Sequence, residues 1–509
     1  MSRSRAVLSG GAVMLLQVAV RMAGVAVVGH MLSRLAGGEM LGAYSAIWQL
    51  IWLVQLLELG VSQAIAREVA QHWEKPGAEE HRARLPRTSL GLLLLLGLAM
   101  CLALSVTAWT LPWWFRASAP VRHSAALAVA IAAAWMPLRF PLSFFSIFLF
   151  SRQRLAAYGA LSTASEALRV VLTILAVWLG WGLTGMMAGT LAAEGLNYLA
   201  AWWLGRRDLP RPLLGGVPLR EVWRLTRLGV PLGMISLGDR LSLFSQELVV
   251  TAVVNARTAS AFYATRMPGF LLSTVLSQLL YMLSPGLNDL YGRGLHDAFR
   301  RANLRLVSYA TGVGVWAAAG ILVFTPDVVS LWVGKSFFLG VPVTGAVALL
   351  AVVAAFNNVA AQFAVTIGRV KVFTGLALGQ GMAALLLSFV LGSRLGAPSV
   401  MWAAACMQCV VAPYLAHVSA SLHGMGVLAY LRRVGAGALR CAGVGVAACA
   451  AYALLPRAGV PVSAFIGLPL AVLAGAIGFA RLGLLPEDRA TLAAIVRRRV
   501  TGQVAEQPL

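Results

Sequence analysis

Apolar runs long enough to cross a bilayer recur from one end of this chain to the other, and short stretches rich in arginine separate them. A spanning helix takes about 20 apolar residues, and within hydrocarbon only helices and closed barrels satisfy every backbone N–H and C=O. Hydropathy places spans at roughly 8–31, 41–66, 88–111, 123–150, 158–179 and 182–204. After a basic linker, further spans fall at roughly 229–253, 260–284, 304–325, 343–367, 372–393 and 397–420, and a last two at roughly 436–455 and 459–480. The expected fold is an all-α integral membrane protein of about 14 transmembrane helices, in two blocks of six plus two accessory C-terminal helices. No interval is left for a second, soluble domain.

The same division sets the domain expectations. Residues 1–205 form an N-terminal six-helix lobe, 206–228 a cytoplasmic basic linker, 229–421 a C-terminal six-helix lobe, 436–481 helices 13 and 14, and 482–509 a cytoplasmic tail with Arg497, Arg498 and Arg499. In the linker, Pro210, Pro212, Gly215, Gly216 and Pro218 precede Leu219, Val222, Trp223, Leu225 and Leu228 with basic residues between them, the pattern of an interfacial amphipathic helix. Two related blocks with an even number of helices each would enter the membrane in the same orientation, as parallel repeats.

The formal net charge is +23 although only 12% of residues are charged, against about 25% in soluble domains. In a soluble chain that balance would point to nucleic acid. Here the basic residues follow the loops, which removes nucleic acid as a partner. Roughly 29 Lys and Arg collect on one set of alternate loops and roughly seven on the other, which makes the first side cytoplasmic, with both termini. The basic start, Met1 to Arg5, leads into a long apolar run with no small-residue cleavage site after it, and reads as a retained first helix. Cys101, Cys406, Cys409, Cys441 and Cys449 all lie in apolar runs, where no disulfide framework or metal site is expected.

Within the predicted spans stand Arg21, Glu58, Arg139, Glu166, Arg169, Glu194, Asp239, Arg240, Glu247 and Arg266. Each central charge costs about 2.5–3.5 kcal/mol to insert, so these groups are expected to face one another or water. Glu166 and Arg169, three apart on one helix, are expected to form a structural pair. Arg240 and Glu247 are two turns apart, about 10.5 Å in rise, and are expected to line one cavity wall. Arg139 lies between Pro137 and Pro141, which break the helical ladder near a charge. Arg21 and Arg266 have no partner three or four residues away and are the leading ligand candidates, with snorkelling or a cross-helix ion pair as the alternative. Guanidinium grips phosphate oxygens through two parallel hydrogen bonds, so a polyanionic cargo is implied, with Arg21, Arg139, Arg240 and Arg266 as its binding residues. Glu58, Asp239 and Glu247 are candidates for coupling to H+ or Na+; pairing with the arginines explains them equally well.

Other motifs carry less. Gly334-Lys335-Ser336 lacks the first glycine of a phosphate loop, since Val329 stands there. Cys406-x-x-Cys409 has no second ligand pair, and packing explains it. His417 and His423, at the end of the same helix, read as packing residues. No serine, histidine and aspartate constellation is present.

The segments Leu35-Ala36-Gly37-Gly38-Glu39-Met40-Leu41-Gly42-Ala43-Tyr44 and Glu58-Leu59-Gly60-Val61-Ser62-Gln63-Ala64-Ile65-Ala66-Arg67-Glu68 resemble the helix 1 to helix 2 signature of polysaccharide-synthesis flippases, O-antigen flippases among them. These belong to the multidrug/oligosaccharidyl-lipid/polysaccharide (MOP) exporter superfamily. Arg152-Gln153-Arg154, Gly229-Val230-Pro231-Leu232, Phe262-Tyr263-Ala264-Thr265-Arg266-Met267 and Leu331-Trp332-Val333-Gly334 continue the series in order. The resemblance implies two six-helix lobes around a central cavity, and a monomer in the bacterial cytoplasmic membrane that moves a polyprenyl-pyrophosphate-linked oligosaccharide outward by alternating access. It implies no cofactor, and membrane lipid, a polysaccharide polymerase and glycosyltransferases as partners. In lipid II flippases of the superfamily, helices 1 and 8 each carry a substrate-binding arginine, and Arg21 and Arg266 match those places. Glu247 matches the spacing of an acidic residue before the helix 8 tyrosine, here Tyr263. Other cavity arginines are not matched, and the Asp239-Arg240 pair departs from the pattern. Two other functions compete. An ion-coupled multidrug exporter of the same superfamily is disfavoured for cationic drugs by the excess of arginine. A membrane glycan polymerase or glycosyltransferase would need a sizeable external catalytic loop, and the external loops here are short.

Overall fold

The computed structural model describes residues 3–58, 60–73, 79–152, 154–209, 219–454 and 460–490. Every regular element among them is helical. The first block holds α1 (Arg3–Met31), α2 (Gly38–Val54), α3 (Val61–His72), α4 (Glu79–Trp114), α5 (Ala119–Ser151), α6 (Leu155–Trp178) and α7 (Gly182–Gly205). There follow α8 (Leu219–Leu243), α9 (Gln246–Val253), α10 (Ala256–Gly292), α11 (His296–Trp332), α12 (Val341–Thr366), α13 (Val370–Leu395) and α14 (Ala397–Leu422). The last two are α15 (Val427–Leu454) and α16 (Val460–Gly478). Among the described residues nine helices are long and apolar enough by themselves to cross a membrane. The amphipathic stretch from Leu219 forms the opening turns of α8 and runs unbroken into it. Residues 210–218 of the linker and the tail from 491, with Arg497, Arg498 and Arg499, lie outside the described residues.

Two expected spans are broken in the middle. The 41–66 span divides into α2 and α3 around a 3-10 turn, Gln55–Glu58. Gly60, at φ 74, starts α3; a Cβ there would stand 2.5 Å from the Gly229 carbonyl oxygen, so both the left-handed backbone and the close approach require glycine. The Glu58 carboxylate accepts the Ser62 N–H at 3.0 Å, meeting one of the donors a helix start leaves open. The 229–253 span divides into α8 and α9. Phe244 N–H closes α8 on the Arg240 carbonyl at 2.9 Å. The Gln49 Oε1 of α2 then accepts the N–H groups of Glu247 at 2.8 Å and Leu248 at 3.1 Å, capping α9 from a neighbouring helix.

Packing sorts the chain into two compact units. The first is Met1–Ala264, Trp332–Leu339 and Val370–Met407; the second is Thr265–Leu331, Gly340–Arg369 and Gln408–Leu509. In the first, α5 lies against α4 and α7, and α6 against α7 and α1. Phe144 and Phe148 stack within this core with Phe145 edge-on to Phe144, and Trp73, just after α3, is edge-on to Phe148. Helix α8 packs on α3 and α13. Its contact with α13 is backbone on backbone: a Cβ on Gly238 would come within 2.2 Å of the Ala377 oxygen, and one on Gly381 within 2.3 Å of the Gly238 oxygen. Only glycine permits that approach.

In the second unit the Trp316 indole of α11 fills the space that a side chain at Gly445 of α15 or Gly475 of α16 would need. The buried Asp327 accepts the Tyr452 hydroxyl at 3.1 Å. Arg305 pairs with Glu487 at 2.7 Å and Asp488 at 3.1 Å, and the Tyr309 hydroxyl donates to Asp488, fastening the last described segment to α11.

Candidate functional site

Most of the first unit's charges that fall within predicted spans form two groups. In one, Arg139 of α5 binds Glu194 of α7 through a two-pronged contact, with Nε 2.9 Å from each carboxylate oxygen and Nη2 2.7 Å from Oε1. The Tyr198 hydroxyl donates to the same carboxylate at 3.0 Å. Arg139, expected from the sequence to be a ligand residue, therefore has a carboxylate partner in this structure. Its fork is filled by a partner on another helix, which spacing along α5 does not reveal.

The other group is built on α1, α2, α6 and α8. Glu166 and Arg169 of α6 pair at 2.5 and 3.1 Å. Glu166 is shared: Nε of Arg21, on α1, lies 3.8 Å from its Oε1. Arg21 therefore has a cross-helix partner, but a loose one, and its side chain is 53% exposed where that of Arg169 is 18%. Both guanidiniums lean on tryptophans of α2, Arg169 at 6.0 Å from the Trp48 ring centre and Arg21 at 5.9 Å from that of Trp52. Such contacts add about 0.5–2 kcal/mol each and hold the cations in place without neutralising them. Tyr44 stands 6.2 Å from Trp48, and Phe244, just after α8, stands 5.3 Å from Trp52. Arg240 of α8 brings Nη1 to 3.5 Å from the Trp52 carbonyl, the outer limit of a hydrogen bond, and among the described residues no carboxylate pairs with it. Glu58 is the acid whose field reaches both Arg240 and Arg139.

Three guanidiniums thus stand on an indole-lined wall where Glu166 bonds one directly and lies 3.8 Å from a second. The sequence reading found the arginines but not the wall. Its signal was legible, since Tyr44, Trp48 and Trp52 recur every four residues and so share one face of α2.

Glu247, Asp239 and Arg266 remain. Glu247 is fully buried at the start of α9, beyond the break that ends α8, so it does not continue a wall with Arg240 as a single helix would require. The Asp239 side chain lies outside the described ones. Arg266 belongs to the second unit, where it is buried with its guanidinium 5.3 Å from the Phe270 ring centre. His423, in the turn after α14, sits 3.3 Å from Asn303 Oδ1, which also accepts the Tyr430 hydroxyl at 2.9 Å. Burial and the nearby Arg300 and Arg433 hold its pKa below the ordinary imidazole value.

The profile of the family described as polysaccharide biosynthesis protein matches residues 6–287, an interval that contains the whole arginine and tryptophan wall. No curated protein matches the chain in sequence. Among solved structures, the chain is similar to the lipid II flippase MurJ in an inward closed conformation, with TM-score 0.64, 12% identity, and 97% of this chain and 99% of that one covered. It is also similar to an inward-facing multidrug resistance MATE family transporter of the MOP superfamily, with TM-score 0.62, 16% identity, and 81% and 99% covered. An outward-facing transporter of that kind gives TM-score 0.58 at 17% identity, covering 82% and 96%. At these identities the likeness concerns the fold. The chain is a multi-pass helical membrane protein on the fold of the MOP superfamily, and it belongs to the polysaccharide biosynthesis protein family.

Proposed function

We propose that this protein is a flippase that carries a polyprenyl-pyrophosphate-linked oligosaccharide across the cytoplasmic membrane by alternating access, for cell-surface polysaccharide synthesis. The observation that carries the reading is the excess of guanidinium over carboxylate on the α1, α2, α6 and α8 wall. Arg21, Arg169 and Arg240 suit a pyrophosphate, which presents several anionic oxygens to paired N–H donors. Trp48 and Trp52 offer flat apolar faces of the kind that pack against sugar rings, so one wall can take both parts of the headgroup. The chemistry is translocation, with no bond made or broken. Three guanidiniums would repel a cationic drug, which favours this reading over multidrug export.

The test is complementation in a host whose surface polysaccharide depends on this chain. Arg21→Ala and Arg240→Ala each abolish surface polysaccharide while the protein stays at its normal level in the membrane. Retained polysaccharide in both variants removes these residues from the site. Under the same reading, transport is coupled to an H+ or Na+ gradient, and collapsing that gradient in proteoliposomes stops it. Transport that persists without a gradient indicates passive exchange.

A further inference from the structure

Glu166 holds Arg169 by its Nε and Nη2 donors, the edge of the guanidinium that would otherwise grip a phosphate with two parallel hydrogen bonds. An anionic cargo therefore meets a fork already occupied. The same carboxylate has a second partner within reach, Arg21 at 3.8 Å, whose side chain is largely exposed and free to follow it. The charged and titratable groups facing Glu166 are Arg169 on its own helix and Arg21 from α1, with Tyr44 of α2 set against Arg169. At its contact with α6, α7 places Gly189 against Leu172.

We propose that Glu166 is an internal counter-anion: it covers Arg169 while the transporter is empty, and the pyrophosphate of the cargo displaces it toward Nε of Arg21, whose Nη groups remain for the cargo. The inference rests on the flippase reading above. An arginine without an anion at bilayer depth is costly, and so is a lone carboxylate. The exchange leaves neither exposed at any stage, because Arg169 passes from one anion to another while Glu166 passes from one cation to another. Glu166 is then a specificity-determining residue. A ligand must displace a tethered carboxylate from the fork, which a pyrophosphate, with anionic oxygens on two phosphorus atoms, does and a carboxylate or a single phosphodiester does poorly. It also sets release, since the returning carboxylate expels the product.

The experiment uses the full chain in detergent, with inorganic pyrophosphate and farnesyl pyrophosphate as probes and binding read by calorimetry. Removing the competitor in Glu166→Gln tightens pyrophosphate binding by about tenfold, worth about 1.4 kcal/mol. It also lowers Tm in the absence of anion, and added pyrophosphate restores it; a residue that merely braces α6 would show no such rescue. In proteoliposomes turnover falls while apparent affinity rises. Glu166→Asp, which keeps the charge on a shorter stem, moves affinity in the same direction by a smaller factor and serves where the glutamine variant does not fold. Unchanged or weaker binding in both variants, with Arg169→Ala still abolishing binding, overturns the counter-anion and leaves the site standing. Binding that survives both Arg169→Ala and Arg21→Ala overturns the flippase site itself. Phosphatidylglycerol that competes as well as farnesyl pyrophosphate assigns the fork to a phospholipid headgroup and overturns displacement by cargo.

Discussion

Arg139 and Arg169 are both arginines at bilayer depth, in the same unit, each gripped by a glutamate through its fork. They differ in what surrounds the carboxylate. Glu194 serves one arginine and one tyrosine, so one carboxylate stands against one cation. Glu166 serves two arginines that rest on indoles, and a third stands close by on α8, reached by the field of Glu58 but with no ion pair among the described residues. The first arrangement is complete and has nothing to offer a ligand; the second is short of anion. For reading buried charge in a membrane bundle, the ratio of carboxylate to guanidinium is more informative than the presence of arginine.

The largest effect that tests this contrast is on the complete pair. Glu194→Ala leaves Arg139 uncompensated and costs about 2–4 kcal/mol of stability, so folded protein recovered from the membrane falls sharply. The double change Arg139→Met with Glu194→Leu restores it, as measured by yield and thermal unfolding. Transport per folded molecule that collapses in the double variant would place the pair in the site. Next, Arg169→Ala reduces transport by about tenfold to a hundredfold with near-normal folded yield, through loss of charge-assisted hydrogen bonds to the cargo. A loss of yield matching that of Glu194→Ala would show that the two assemblies are alike. Trp52→Ala lowers transport by about threefold to tenfold and Trp52→Phe much less, because the ring face is what matters; equal losses from both would assign the indole another role. The smallest effect is outside both assemblies: Gln49→Ala removes the cap of α9 and costs about 0.5–2 kcal/mol, visible as faster amide exchange at Glu247 and Leu248.

The order and extent of the helices were legible from the sequence because bilayer thickness imposes a length on each apolar run. The breaks at Gln55–Glu58 and after Leu243 were not. Each depends on tertiary contacts, the Gly60 approach to Gly229 and the Gln49 cap on α9, that no local pattern carries. The Glu166 and Arg169 pair was readable because three residues separate its members. The partner of Arg139 was not, for the opposite reason: Glu194 is on another helix. The tryptophan wall was available at four-residue spacing, but in a chain this rich in apolar side chains an aromatic stripe does not stand out until cations are seen to lie against it.

The bare contact of Gly238 with Ala377 and Gly381 has a mechanical consequence. Helices normally interlock as knobs in grooves, and axial slip must ratchet one row of side chains over the next. At the Gly238 and Gly381 crossing of α8 and α13 no knob stands between the backbones, which lowers the local barrier to a small shear of one rod along the other. Arg240 is two residues beyond Gly238, so such a slip would carry the guanidinium along the indole wall, and a bulkier residue at Gly238 would jam that travel while also prising the helices apart.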